Sequence, residues 1–548
     1  MTNIFSNLLG GGYFPKELPP TFTTRSFGEC AKRFESKRCK LDEPDKSWRQ
    51  YEIHNLARAG TLRRELAIVN PVSYWRVARK IADEWAVIHQ AAEQSPISLT
   101  KPVTGLPRSL PWGRDIHSAR ARVRAQGRFI LRADISNFYG SVYTHTIPWA
   151  LHTKVATRHA LREKDKNKPS LLGDDLDTLF RAMQDGQSVG LPVGPDASLL
   201  IAEIILSSID EKVLSDCSNR GFRFIDDYEL VFDSEWEALE ARNKLQSALA
   251  DYRLTLNPLK TRIEKLPVSL DDGWSRELWR IIERKSVLRK TDIVNFFDRA
   301  FDVATHYPAG GVLKFALGKL CKKAFADDAA EIAQNLVLQC GRVEAGCLPF
   351  VLAVLLRREN PDGAWKATLS NALHSIISEH APQRHSSEVA WALWGALALK
   401  TDVSKEAAKQ VLEMEDSVSS LLLFQAHRTK QLAGLDAEFK KWKSVLGQDD
   451  LAGSRWLLAY ELARIGYTLD ATGKNYVSRD ERFGFLLKEK VAFFDESRLG
   501  VPEGLIPISE DEDSEDDEDD ESDDDEEYSL GGFWDEWDDW NDGDEDDE

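Results

Sequence analysis

The sequence predicts an α+β body, then an all-α helical-repeat domain, then a disordered acidic tail. Three observations carry this. Short β-rich runs and an apolar-striped helix fill residues 61–270; helix-type periodicity continues through 271–500; and Glu510–Glu548 holds 26 acidic residues with no Lys or Arg. Residues 1–60 form an irregular extension, broken by Gly10-Gly11-Gly12, Pro15, Pro19 and Pro20. The 548 residues, 42% hydrophobic and 30% charged, exclude a collagen-like or wholly disordered chain. The net charge of −20 conceals an asymmetry: outside Glu510–Glu548, 65 acidic groups face 71 basic ones. A mildly basic body can hold phosphates.

The N-terminus lacks the basic and apolar regions of a secretory signal. No apolar run is long enough to span a bilayer, so no membrane contact is expected. The six cysteines form no CxxC pair, which argues against a zinc ribbon and fits a reducing cytoplasm.

Taken in order, Arg128–Asp134 (RFILRAD) reads as a strand ending in a carboxylate. Asp196–Leu214 reads as a helix, introduced by the turn GLPVGP. Phe222–Ile225 and Glu229–Phe232 read as two strands whose hairpin tip holds Asp226-Asp227-Tyr228. Beyond residue 285, AWALWGALAL (Ala390–Leu399), LLLFQ (Leu421–Gln425) and RWLLAYELAR (Arg455–Arg464) recur about every 31–35 residues, a spacing for stacked helix pairs. Trp391, Trp394 and Trp456 are expected in the core of that stack.

Asp134, Asp226 and Asp227 stand where neighbouring strands end. Adjacent carboxylates raise each other's pKa unless cations screen them. Three of them make an oxygen-donor site for two Mg2+ ions, or Mn2+ in their place, of the kind that serves in-line phosphoryl displacement.

Four blocks in order, Asp134-x-x-x-Phe138-Tyr139, Gly190-Leu-Pro-Val-Gly194-Pro, Phe224-Ile225-Asp226-Asp227 and Leu256-Asn257-x-x-Lys260-Thr261, resemble palm motifs A to D of reverse transcriptases. DISNFYGSVYTHTIPWAL (Asp134–Leu151) and RRELAIVNP (Arg63–Pro71) resemble the bacterial abortive-infection and defence-associated members, the AbiK-like group. The resemblance implies a right-hand fingers and palm over 61–270, followed by a HEAT-like helical domain over 271–500. It implies that Asp134, Asp226 and Asp227 bind the metals, that Tyr139 is a steric gate against ribonucleotides, and that Arg63, Arg64 and the Gly194 loop contact the incoming nucleotide. It also implies that Lys260 donates a proton to the leaving pyrophosphate.

Two departures bear on template use. Val193 stands where templated reverse transcriptases usually carry Gln, and Ile225 replaces the Ala beside the paired aspartates. Some members of the group make single-stranded DNA without a template, primed by a protein hydroxyl. Tyr13, Tyr51, Tyr74 and Tyr143 are the primer candidates here, and the residues do not choose among them. The expectation is a homo-oligomeric DNA polymerase that uses dNTPs in anti-phage defence. Its alternatives are a templated enzyme copying a dedicated RNA, and a non-catalytic scaffold sensing a phage component. The tail carries Phe533, Trp534, Trp537 and Trp540 among acids. Rings among carboxylates imitate single-stranded nucleic acid, and Ser509–Glu548 is expected either to solubilise the chain or to dock in its own product channel.

Overall fold

A computed structural model describes residues 4–58, 63–103, 113–163, 170–214, 220–270, 273–308, 310–356, 363–432, 434–469 and 473–499. The acidic tail, with its aromatic residues, lies outside the described residues.

At the centre is a four-stranded antiparallel sheet in the order β4-β5-β3-β6, with β3 Phe129–Ala133, β4 Gly221–Phe224, β5 Asp227–Phe232 and β6 Arg262–Lys265. Alternation assigns its two faces. Leu131, Ala133 and Leu230 join the main core with the helices Asp196–Val213 and Glu235–Asp251, while Ile130, Phe222 and Val231 pack on Ala119 and Val123 of the helix Gly113–Arg124. The helix Glu235–Asp251 opens on a capping box. Ser234 accepts from the Glu237 amide, and the Glu237 carboxylate accepts from the Ser234 amide in return.

A second hairpin, β1 (Glu52–Ala57) with β2 (Arg63–Ile68), crosses residue 60, where composition suggested a boundary. The irregular stretch before it is not a loose extension. Helices Ile4–Gly10 and Arg25–Arg33 bury Phe5, Leu8, Leu9, Phe27 and Cys30 in the main core. The Tyr13 ring stacks on Tyr74 with centroids 4.6 Å apart. Tertiary contact compensates for weak local patterning there.

Helices Ser386–Ala398, Ser417–Arg428 and Trp456–Arg464 follow the three recurring segments and pack on one another in that order. Trp391, Trp394 and Trp456 are buried. Two of them also tie the helical part to the rest. Trp391 Nε1 donates to the Glu17 carbonyl at 3.0 Å, and Trp456 Nε1 to the Ile68 carbonyl at 3.1 Å. The chain then returns to its start: the Thr23 amide donates to the Phe493 carbonyl, and Asp495 to Thr21. Among the described residues, no helix is long and apolar enough to cross a membrane.

Candidate active site

Register brings the three aspartates together. Ala133 at the end of β3 pairs with Tyr228 on β5, so Asp134 lies one step beyond, beside the turn that carries Asp226 and Asp227. That turn is tight because Ile225 adopts φ +52. A β-branched residue in the left-handed region carries strain of about 1–3 kcal/mol, which the surrounding structure must offset. Asn257 fixes Asp134 from the far side. Its Nδ2 donates to Asp134 Oδ2 at 3.1 Å and its amide to the Asp134 carbonyl at 2.8 Å. Reading the sequence placed Asn257 in a motif but gave it no role.

The electrostatics are those of a site short of positive charge. Burial, then the Asp134 carboxylate, push Asp226 up to about 6. Burial, then Asp226 and Asp134, push Asp227 well above the ordinary carboxylate range. Lys260 opposes both shifts, and Arg64 opposes that of Asp226. An all-oxygen donor set whose repulsion is only partly offset fits hard divalent cations.

All of this opens into a cleft of about 1230 Å³ lined also by Arg64, Tyr139, Lys260 and Arg262. Tyr139 stands on a short helix, Phe138–Ser141, entered through Asn137 at φ +43. Phe138 is buried under it. The Tyr139 carbonyl accepts from the Leu191 amide at 2.8 Å, which ties motif A to the Gly190–Gly194 loop. Gly190 and Gly194 adopt φ +89 and +126, and a Cβ on Gly194 would meet Pro15 Cγ at 2.8 Å. The other side of the loop is held by β2, where the Ala67 amide donates to the Val193 carbonyl at 2.8 Å.

The two neighbouring arginines part company. Arg63 Nη2 donates to Glu388 Oε2 at 2.8 Å, Nη1 donates to Glu388 Oε1, and Nε donates to Asn55 Oδ1 at 2.7 Å. Its fork thus bonds the helical part while the residue also lines the cleft, whereas Arg64 acts electrostatically on Asp226. Of the four tyrosines, Tyr51 lines the cleft. Tyr13 and Tyr74 are fully buried, their hydroxyls donating to the Val69 and Gly12 carbonyls. Tyr143 lies among His145, Trp149 and Arg253. His145 Nδ1 is paired with Asp177 at 2.7 Å, and His152 Nε2 accepts from the Gly173 amide, so both have structural work.

Away from the cleft, His380, His385 and Glu388 group as a metal site would. Arg63 and the Ser387 hydroxyl already hold that carboxylate, and the two imidazoles meet Nδ1 to Nδ1 at 2.9 Å. The cluster is satisfied without a cation.

Residues 81–296 match the family described as reverse transcriptase (RNA-dependent DNA polymerase). The match spans the whole four-stranded sheet, the three aspartates, the Gly190–Gly194 loop and Lys260. The chain thus contains a reverse transcriptase domain and is a nucleotidyltransferase. β1, β2 and the two arginines precede the matched segment, and the helices from Val312 onward follow it. No curated protein matches the chain.

Proposed function

We propose that this enzyme makes DNA from dNTPs in anti-phage defence, without a template and from a hydroxyl of its own chain. One observation carries the chemistry: three mutually repelling carboxylates converge in a large cleft that Arg58, Arg63, Arg64, Lys260 and Arg262 also line. Asp134, Asp226 and Asp227 would hold two Mg2+ ions, which when bound neutralise the α-phosphate charge and acidify the attacking hydroxyl. The chain's own groups do the rest. Arg64 steers the triphosphate, since its charge already acts across the cleft floor. Tyr139 presents its ring where a ribose 2′-hydroxyl would lie. Lys260 stands near enough to influence both paired aspartates and is the proton donor to pyrophosphate.

Untemplated synthesis is supported by Val193, whose aliphatic side chain offers no amide to hold a nucleotide against a template base. Tyr51 is the priming hydroxyl, on the grounds that it lines the cleft and is half-buried beside Glu65. The helices from 386 to 464 act as a HEAT-like stack that closes the cleft and supports assembly of a homo-oligomer, and the product is single-stranded DNA. The reading as an RNA-templated enzyme is favoured by the family description alone.

The test incubates purified protein with Mg2+ and each labelled dNTP, with no nucleic acid added, and resolves the product before and after protease. Label that stays with protein until digestion, is lost in Asp226→Ala, and is lost in Tyr51→Phe supports the proposal. Extension only after an RNA template and primer are supplied, or label retained in Tyr51→Phe, overturns the corresponding part.

A further inference from the structure

Directly behind the paired aspartates lies a buried ionic network that the nucleotidyl-transfer reading leaves unused. Its centre is Arg223 on β4, fully buried three residues before Asp226. Arg223 Nε donates to Asp210 Oδ2 at 2.7 Å. Nη1 and Nη2 donate to the two oxygens of Glu203 at 3.0 and 2.8 Å. Glu203 and Asp210 lie seven residues apart, on one face of the helix Asp196–Val213. Both are buried acids in a largely apolar stretch of that helix.

Further donors close the network. The Thr100 hydroxyl donates to Glu203 at 2.9 Å and the Ser207 hydroxyl at 3.0 Å. The Ser95 hydroxyl donates to Asp210 at 2.7 Å and the Tyr228 hydroxyl at 2.9 Å. The backbone of Arg223 is pinned as well. Its amide donates to the Ile97 carbonyl at 2.8 Å and its carbonyl accepts from Leu99 at 2.9 Å.

One bond leads from this network to the active site. Arg223 Nη1 also donates to the carbonyl of Ile225 at 2.8 Å. Ile225 is the residue held at φ +52, and its peptide leads directly into Asp226. A β-branched residue leaves that conformation readily unless something holds it. We infer that Arg223 is a positioning residue for nucleotidyl transfer: through the Ile225 carbonyl it fixes the strained turn that aims Asp226 and Asp227. The inference rests on the reading of these aspartates as the catalytic carboxylates.

Arg223→Met alone would strand two buried carboxylates and is expected to unfold the palm. The informative variants keep the charge balance. Arg223→Lys retains one cation without the planar fork. The triple variant Arg223→Met/Glu203→Gln/Asp210→Asn removes the ions together. Each is assayed, once circular dichroism shows native helicity, for kcat, dNTP KM and the Mg2+ concentration at half-maximal rate. The expectation is a fall in kcat of about 10–100-fold with KM changed by less than about threefold, as misplacement of reacting groups by an ångström produces. The Mg2+ midpoint rises as well, because the ligands no longer converge. Ile225→Gly in the Arg223→Lys background, which removes the steric demand of the left-handed turn, restores part of kcat. A folded variant with wild-type kcat and Mg2+ midpoint overturns the inference. So does a loss that Ile225→Gly leaves unchanged. Asp226→Asn is the separate control: activity surviving in it sinks the site itself, whereas loss there with normal Arg223 variants sinks the positioning role alone.

Discussion

At the scale of single residues, Asp226 and Tyr139 make the sharpest claims. The Asp226 carboxyl is lifted from 3.8 to about 6 by burial and by Asp134. The folded protein therefore keeps a proton that the unfolded chain releases. That contribution to stability is fully present below the ordinary carboxylate pKa and is lost as pH rises through about 6. Metal-free protein in chelator should accordingly melt at lower temperature at pH 8 than at pH 5. Asp226→Asn removes one repelling charge, so at pH 8 it should gain roughly 1–3 kcal/mol of stability while losing incorporation. Adding Mg2+ should raise the melting temperature of the native chain, since it binds the folded state, and do so far less in Asp226→Asn. Calorimetry across the two pH values, with and without Mg2+, checks all three. Tyr139→Ala opens the space that its ring fills. Discrimination against rNTPs should drop by about 10–100-fold, read from the ratio of kcat/KM for dNTP and rNTP. Equal ratios in the two proteins would remove the gate from Tyr139.

At the scale of elements, the Gly190–Gly194 loop shows what a turn does for the site. It is held by Tyr139 on one side, Ala67 on the other and Pro15 beneath. Gly194→Ala meets both a conformational penalty at φ +126 and a 2.8 Å approach to Pro15. It should cost about 1–3 kcal/mol and raise dNTP KM more than it lowers kcat. Steady-state kinetics beside thermal denaturation check it. A variant with native KM would show that the loop tolerates displacement. Much of this was legible in the sequence. The strand leading to Asp134, the turn between β4 and β5 and the helix from Asp196 follow from period and turn chemistry, which act within about a dozen residues, although β5 starts at Asp227 and takes in two residues expected at the tip. What escaped were contacts of long sequence separation. Asn257 on Asp134 and Pro15 under Gly194 have no local signature. Glu203 and Asp210 did leave one, as acids in an apolar helix, which marks a buried partner without naming it.

At the scale of the molecule, the β1–β2 pair is not an independent lobe. Glu52 on β1 accepts from the Ser417 amide, the Ala57 amide donates to the Ser387 hydroxyl, and Arg63 on β2 grips Glu388, all across to the helical part. Sequence periodicity separated these regions because each has its own pattern. Their joint burial is invisible to any one pattern. The consequence is a contrast between adjacent arginines. Glu388 is 2% exposed, and burial together with Arg63 decides its charge: burial pushes its pKa up, while the bonds to Arg63 hold it below the usual range. Removing Arg63 leaves that buried carboxylate without its guanidinium, with only the Ser387 hydroxyl and the His380 and His385 imidazoles near it, beside the fully buried His54 whose two ring nitrogens have no hydrogen-bond partner. Arg63→Ala should therefore destabilise the whole chain by about 3–5 kcal/mol, with apparent kcat falling in step with the folded fraction and KM unchanged. Arg64→Ala leaves the joint intact and should raise dNTP KM by about tenfold or more with a small change in melting temperature. Arg63→Ala/Glu388→Ala completes a cycle: because the stranded charge is gone, the double variant should be more stable than Arg63→Ala alone. A double variant less stable than either single change, or an Arg63→Ala protein that melts normally but binds dNTP poorly, would move Arg63 from the joint to the nucleotide site. The helical stack would then be held to the hairpin by its apolar faces and by the Glu52 and Ala57 hydrogen bonds.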